Sequence, residues 1–367
     1  MYFWYIIKIL YVSEKKILNF SGHGERHGYA YFINVRSLHL SKNFLRGRCY
    51  YSTTAASRIN STNSNLDPWS ITGFTDAEGS FMLTFSRTSE SRIGYRIRPI
   101  YQIELNKKDI ELLKNFQAFF GGIGFITKAG KDCMAFRVRT LAELKIIITH
   151  FDSYPLKTKK RADFELFKLA VSKLINKEHL NLKGFKDVLS IRASMNLGLS
   201  DNLKETFPGI IPVDRPEVIN DKSLQPEWLS GFISGEGCFF INLSKSASNL
   251  IGYKVSLLFA ITQHARDTEL LEGIKEYLGC GVVKGSNCRA NVFTLKVAKF
   301  LDNLEKIIPF VNKHKIFGVK SLDFNDWCQA AELINSKKHF TPEGLEEIKL
   351  IKAKMNRGRV LPEVEEE

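Results

Sequence analysis

The sequence has no hydrophobic run long enough to cross a bilayer. Its apolar opening, Met1–Val12, is too short for that and is interrupted by Lys8, which argues against a membrane partner. Cysteine is sparse. Cys49, Cys133, Cys238, Cys280, Cys288 and Cys328 contain no CxxC spacing, so a reducing compartment without structural zinc is the expectation. Acid is also in deficit: 39 Asp and Glu face 53 Lys and Arg, a net charge of +14. Such an excess suits a polyanion, either nucleic acid or an anionic membrane surface. Between His27 and Asn65 acid is absent altogether, while Arg36, Lys42, Arg46, Arg48 and Arg58 supply charge and Ser and Thr crowd residues 52–64. This reads as a mitochondrial transit segment or, alternatively, as a translated leader. Both readings expect little order in residues 1–66 and a mitochondrial address. His23-Gly24-Glu25-Arg26-His27 lacks the HExxH spacing and is not read as a metal site.

What the sequence does contain is one stretch written twice. Pro68–Phe85 reads PWSITGFTDAEGSFMLTF, and Pro226–Leu243 reads PEWLSGFISGEGCFFINL. In each, Pro opens a short apolar segment, small residues stand four apart (Gly73 and Ala77; Gly231 and Gly235), and Glu-Gly closes it before an alternating run. First-turn Pro and terminal Gly punctuate a helix, and the alternation predicts a strand. Each copy therefore predicts a short helix ending in a carboxylate, Glu78 or Glu236. A carboxylate at the negative end of a helix dipole calls for a cation. The register continues far beyond the motif. At an offset of 158 residues Gly94-Tyr95 matches Gly252-Tyr253, Asp109 matches Asp267, and Gly121 matches Gly279. At 160 residues Lys160 matches Lys320, Asp163-Phe164 matches Asp323-Phe324, and Met195-Asn196 matches Met355-Asn356. Two copies of one domain follow, residues 67–198 and 226–358, with a leader before them and an acidic tail at 359–367. Pro208, Pro212 and Pro216 make the connecting residues 199–225 read as an extended tether.

The paired segments Ile71–Gly79 (ITGFTDAEG) and Leu229–Gly237 (LSGFISGEG) resemble the motif of LAGLIDADG homing endonucleases, in the two-repeat monomeric form of fungal mitochondria. The resemblance implies an α+β fold of two αββαββα domains, each with a four-stranded antiparallel saddle, related by a pseudo-twofold axis. It implies motif helices packed on each other and Glu78 and Glu236 brought together to hold two or three Mg2+ ions, with Mn2+ as a substitute. By the same resemblance the carbonyls of Ala77 and Gly235 would complete the ligand set. Paired carboxylates repel unless cations lie between them, and hard oxygen donors suit Mg2+. Further candidates are softer: Gln102 on the return strand, whose counterpart is Ala260, and Lys160 and Lys320 near the scissile phosphate, with Lys159 as an alternative. Asp76, replaced by Ser234 in the second copy, reads as structural.

Period-two alternation assigns the DNA face. Met82, Thr84 and Ser86 lie opposite Phe81, Leu83 and Phe85 in parity; Arg96, Arg98, Ile100 and Gln102 share a face of the return strand. Arg137 and Arg139 follow in the first copy. The second copy offers Phe240, Asn242, Ser244, Lys254, Ser256, Leu258, Thr294 and Lys296. These residue types suit direct readout, and a two-stranded ribbon fits the major groove. The expected partner is double-stranded DNA with a long asymmetric site, cut by phosphodiester hydrolysis. The alternatives are an intron RNA maturase and a DNA-binding regulator that has lost its chemistry.

Overall fold

The computed structural model describes residues 66–218, 223–287 and 289–360. The expected leader, apart from Leu66, and the tail beyond Val360 lie outside these residues. Among the described residues no helix is long and apolar enough to cross a membrane.

The first repeat begins with α1 (Pro68–Glu78), capped by Asp67, whose side chain accepts from the Trp69 N–H at 2.8 Å. The hairpin β1 (Gly79–Arg87) and β2 (Tyr95–Asn106) follows directly, then α2 (Ile110–Phe119), β3 (Phe125–Lys128) and β4 (Cys133–Val138). Three helices complete it: α3 (Leu141–Ser153), α4 (Lys160–Ile175) and α5 (Leu182–Ala193). After the connecting helix α6 (Asp201–Thr206), the second repeat reproduces the order with α7 (Pro226–Glu236), β5 (Gly237–Lys245), β6 (Tyr253–His264), α8 (Thr268–Leu278), β7 (Val282–Gly285) and β8 (Val292–Val297). The helices α9 (Phe300–Asp302) and α10 (Ile308–Lys313) flank a π-helical turn, and α11 (Lys320–Asn335) and α12 (Pro342–Lys354) close the repeat. The sheets run β1-β2-β4-β3 and β5-β6-β8-β7, antiparallel throughout. This is the expected pair of α+β domains.

Each sheet buries one face under its own helices. In the first core Phe81 meets Tyr101, Phe164 and Phe167 with ring centroids 5.4, 5.3 and 5.5 Å apart. In the second, Phe239 meets Phe259, Phe324 and Trp327 at 5.3, 5.2 and 5.3 Å. The duplicated sequence thus builds a similar aromatic cluster twice; Trp327 stands where the first copy has Phe167, and a matched exchange distinguishes the two further. The buried Tyr101 hydroxyl bonds the Thr75 hydroxyl at 2.8 Å. At the equivalent places stand Phe259 and Ile233, both fully buried. Donor and acceptor are gained or lost together, because either alone would leave a buried polar group without a partner.

Residues 199–225 are not simply the extended tether that their prolines suggest. Leu199, Leu203 and Phe207 stand four apart, and α6 presses them onto the first core. Arg215 then bonds both carboxylate oxygens of Asp163, at 2.9 and 2.8 Å, and the Ser194 carbonyl at 2.8 Å. The apolar stripe precedes the first of the three prolines, and the proline-bearing residues 210–218 form no helix or strand.

His150 of α3 gives a pH prediction. Its ring packs among Phe119, Phe120, Phe151 and Tyr154, and burial pulls its pKa down to about 4. The unfolded chain holds this proton near pH 6.5, so the folded state is favoured fully above that pH and loses stability as pH falls toward 4. Linkage gives a loss of about 2 kcal/mol at pH 5. Urea unfolding at pH 7.5 and pH 5 is expected to show it, and His150→Phe should remove that share of the pH dependence. An unchanged slope in the variant would contradict the assignment.

Candidate metal and nucleic-acid site

The two motif helices pack backbone to backbone. A Cβ on Gly73 would stand 1.9 Å from the Trp228 carbonyl oxygen, and one on Gly231 would stand 2.1 Å from the Ser70 carbonyl oxygen. Trp228 and Ser70 are themselves matched positions. Each repeat therefore offers the same patch to the other, the signature of twofold symmetry, here within one chain. At the far end a Cβ on Gly235 would meet the Ala77 Cβ at 2.3 Å and the Glu78 Cγ at 3.1 Å. The small residues are what let Glu78 reach the end of the opposing helix.

Glu78 and Glu236 are both half-buried. Burial raises the pKa of each, and the Glu78 charge adds to the rise at Glu236. Lys320 and Lys160 oppose both rises. These lysines, the first residues of α11 and α4, are the cations that the helix ends call for. The Lys160 ammonium donates to the carbonyls of Thr75 and Asp76, each at 2.8 Å, and reaches Ala77 at 3.5 Å. The Lys320 ammonium donates to the Gly235 carbonyl. Burial lowers both lysine pKa values, and the surrounding carboxylates resist this. Lys159, the alternative, points elsewhere: its ammonium donates to the Val218 carbonyl at 2.9 Å.

Asp76 is structural in its contacts. It accepts from the backbone of Lys157 and Thr158 at 2.8 and 3.2 Å, from the Thr158 hydroxyl at 2.6 Å and from the Trp228 indole at 2.8 Å. Burial raises its pKa, opposed by the bonds from the Lys157 backbone, the Thr158 hydroxyl and the Trp228 indole and by the Lys160 charge. Ser234 takes the matching place with one such bond, accepting from Phe317 N–H at 2.9 Å. The Asp-to-Ser difference between motifs is thus a difference in loop anchoring.

A donor set of two carboxylates and helix-end carbonyls is all oxygen, which fits a hard divalent cation. Among the described residues no three His, Cys, Asp or Glu side chains converge as a ready-made cage. The site therefore needs main-chain carbonyls and outside ligands, as suits an ion that keeps several waters.

One contributor was not anticipated. Gln263 hydrogen-bonds Glu236 and opposes its pKa rise. It lies on β6 in the parity of Leu257, Phe259 and Ile261, the core face. A polar residue on that face was the available signal. Its counterpart, Leu105, has no such group.

The open faces of the sheets carry the expected DNA residues. Met82, Thr84 and Ser86 pair with Ile100, Arg98 and Arg96; Phe240, Asn242 and Ser244 pair with Leu258, Ser256 and Lys254. Thr84, Ser86, Arg96, Arg98 and Arg139 are exposed, as are Phe240, Asn242, Ser244, Lys254 and Lys296, with Met82, Ser256, Leu258 and Thr294 half-buried. Ile100 is the exception at 7% exposure. It sits opposite Met82 and, in the strand's parity, between Arg98 and Gln102. Gln102 faces Arg137. Its carbonyl oxygen accepts from the Arg137 Nε at 2.6 Å and its amide donates to Glu104 at 3.0 Å, while Arg137 also donates to Thr127 at 2.6 Å. Its place is thus a polar network on the sheet face. Arg139, just past the end of β4, lays its guanidinium over the Phe125 ring at 4.8 Å.

The family model described as LAGLIDADG endonuclease matches residues 71–171 and 229–331. The chain belongs to the LAGLIDADG endonuclease family. Two Neurospora crassa proteins are similar to it. Probable intron-encoded endonuclease 3 is 39% identical over 80% of this chain and 56% of its own length; probable intron-encoded endonuclease 2 is 38% identical over 89% of this chain and 73% of its own. The chain therefore spans little more than half of the first relative. Among solved structures, the I-SmaMI LAGLIDADG homing endonuclease bound to cleaved DNA is 43% identical with a TM-score of 0.78, covering 80% of this chain and 98% of that one. The same enzyme bound to uncleaved DNA in the presence of calcium ions is 42% identical at the same TM-score, covering 80% and 100%. This LAGLIDADG chain carries both motifs with both terminal glutamates intact.

Proposed function

We propose that this chain is a site-specific homing endonuclease that makes a Mg2+-dependent double-strand break in one long DNA target, acting as a monomer in the mitochondrion. The observation that carries this reading is the convergence of Glu78 and Glu236, each with a helix-end lysine, where two repeats meet. The I-SmaMI complexes with DNA support the substrate class; the intron-encoded names of the fungal relatives support a role in mobility of the host intron or gene.

Arg and Lys of the sheets anchor phosphates and set the register, while the strands read base edges in the major groove. Glu78 and Glu236, with the Ala77 and Gly235 carbonyls, would hold the divalent ions. When bound, such an ion polarises a phosphoryl oxygen and makes water nucleophilic near neutral pH. Lys160 and Lys320, already at these carbonyls, lie beside the phosphate and offset the charge that develops on it. The regulator alternative calls for loss of one motif glutamate, and neither is lost. Intron RNA gains no support from these neighbours, which are DNA complexes.

The test is incubation of the protein with Mg2+ and a library of randomised duplexes, followed by sequencing of cleaved ends. One recurrent long site with a fixed stagger between strands is the expected result. Tight DNA binding without cleavage would overturn the catalytic reading in favour of a regulator.

A further inference from the structure

Asp109 and Asp267 occupy matched places in the two repeats, immediately before α2 and α8. An Asp at that position ordinarily accepts from the first N–H groups of its own helix. Neither does so: no side-chain cap bond forms at either helix. Both carboxylates turn to the opposite repeat instead. Asp267 Oδ1 accepts from the Lys159 N–H at 2.7 Å, and Asp109 Oδ1 accepts from the Val319 N–H at 2.7 Å.

Lys159 and Val319 are the residues that start α4 and α11, the helices opened by Lys160 and Lys320, and neither supplies a cap of its own. Each lysine helix therefore takes a cap bond from the other repeat, which at α4 adds to the Thr158 hydroxyl of its own repeat, the acceptor of the Lys160 N–H at 3.2 Å. A carboxylate there satisfies an N–H that the helix leaves unpaired and complements the positive end of its dipole. It also fixes the backbone next to a side chain whose ammonium must reach the end of its own motif helix. The seats are built for this. Asp267 is 2% exposed and also pairs with Arg266 at 3.4 Å. Beside Asp109, Gly318 holds φ at +67°, and a Cβ on it would stand 2.4 Å from Asp109 Oδ1.

We propose that Asp109 and Asp267 are positioning residues acting across the interface, Asp267 setting Lys160 and Asp109 setting Lys320. Each lysine is then steadied by one repeat through the residue that precedes it and by the other at its tip, so both repeats contribute to each half of the site. The inference rests on the endonuclease reading for its effect on rate, though not for the placement of the lysines.

The experiment combines kinetics with structure in the full chain. Under single-turnover conditions with Mg2+ and the recovered target duplex, Asp267→Ala is expected to slow cleavage about tenfold or more, since small misplacements of a reacting group are costly. That slowing should vanish in a Lys160→Ala background and persist in a Lys320→Ala background. Asp267→Asn should recover most of the rate, because its amide oxygen still accepts from Lys159. Asp109→Ala, at the more exposed seat, should mirror this with Lys320, and it carries the test if Asp267→Ala fails to fold. Equal slowing in both lysine backgrounds would mean a general loss of stability and would overturn the proposal. A crystal structure of Asp267→Ala without DNA is expected to show the Lys160 ammonium displaced from the Thr75 and Asp76 carbonyls, with Lys320 still on Gly235. An unmoved Lys160 would refute the proposal whether or not the protein cuts DNA. Absence of cleavage by the native protein would refute only the endonuclease reading.

Discussion

Glu78→Gln is expected to bind the DNA target as the native protein does and to leave both strands intact. The same result is expected for Glu236→Gln. Gln preserves shape and hydrogen-bonding capacity but brings no negative charge to a divalent cation, and Glu78 and Glu236 are the two carboxylates proposed to hold it. Loss of either should cost on the order of a thousandfold or more in rate. The effect on both strands follows from the geometry at Gly235, where the Glu78 side chain already packs against the opposing motif helix. A gel that resolves supercoiled, nicked and linear plasmid separates the possibilities. Efficient nicking by a single variant would mean two independent centres, one per repeat.

The second large effect concerns the helix pair beneath that site. Gly73→Ala places a methyl group 1.9 Å from a backbone oxygen of the other repeat, and backbone cannot rotate away as a side chain can. The helices must separate, at a cost of roughly 3 kcal/mol, the upper end of ordinary overpacking. Separation also moves Glu78 relative to Glu236, so cleavage should fall on both strands. Gly231→Ala, at 2.1 Å from the Ser70 oxygen, should behave alike. Gly273→Ala serves as the control. It lies inside α8 with nothing within 4 Å of the added Cβ, and helix propensity favours Ala there by about 1 kcal/mol. Thermal melts of the three variants should split accordingly. A Gly73→Ala protein as stable as Gly273→Ala would show that the close approach is not what holds the repeats together.

Most of the architecture was legible because the chain states it twice. A motif that repeats in register predicts the same helix, hairpin and sheet in both halves, and period two on Phe81–Phe85 separated the core face from the open face. The motif glutamates were legible for a physical reason: a carboxylate at a helix C-terminus needs a cation, and Lys160 and Lys320 supply one at each end. Cross-repeat contacts outside the motif helices were not legible. Asp109 and Asp267 look like ordinary helix caps in sequence, and only tertiary structure turns them away from their own helices. Gln263 was overlooked although it breaks the apolar parity of Leu257, Phe259 and Ile261, a break that marks it out. In the connecting residues the prolines were read, but the Leu199, Leu203 and Phe207 stripe that docks α6 just ahead of them was not. Ile100 had the right parity but is buried, so parity alone did not make it accessible.

The account turns on one shared metal centre made by both repeats. Anomalous diffraction from crystals of the protein with its DNA target and Mn2+ tests this most directly. It is expected to place manganese within direct coordination distance, about 2.1 Å, of a carboxylate oxygen of Glu78 and of Glu236, at the meeting of α1 and α7. Manganese held within a single repeat, away from that pair, or no manganese at the pair in a DNA-bound complex, would contradict it.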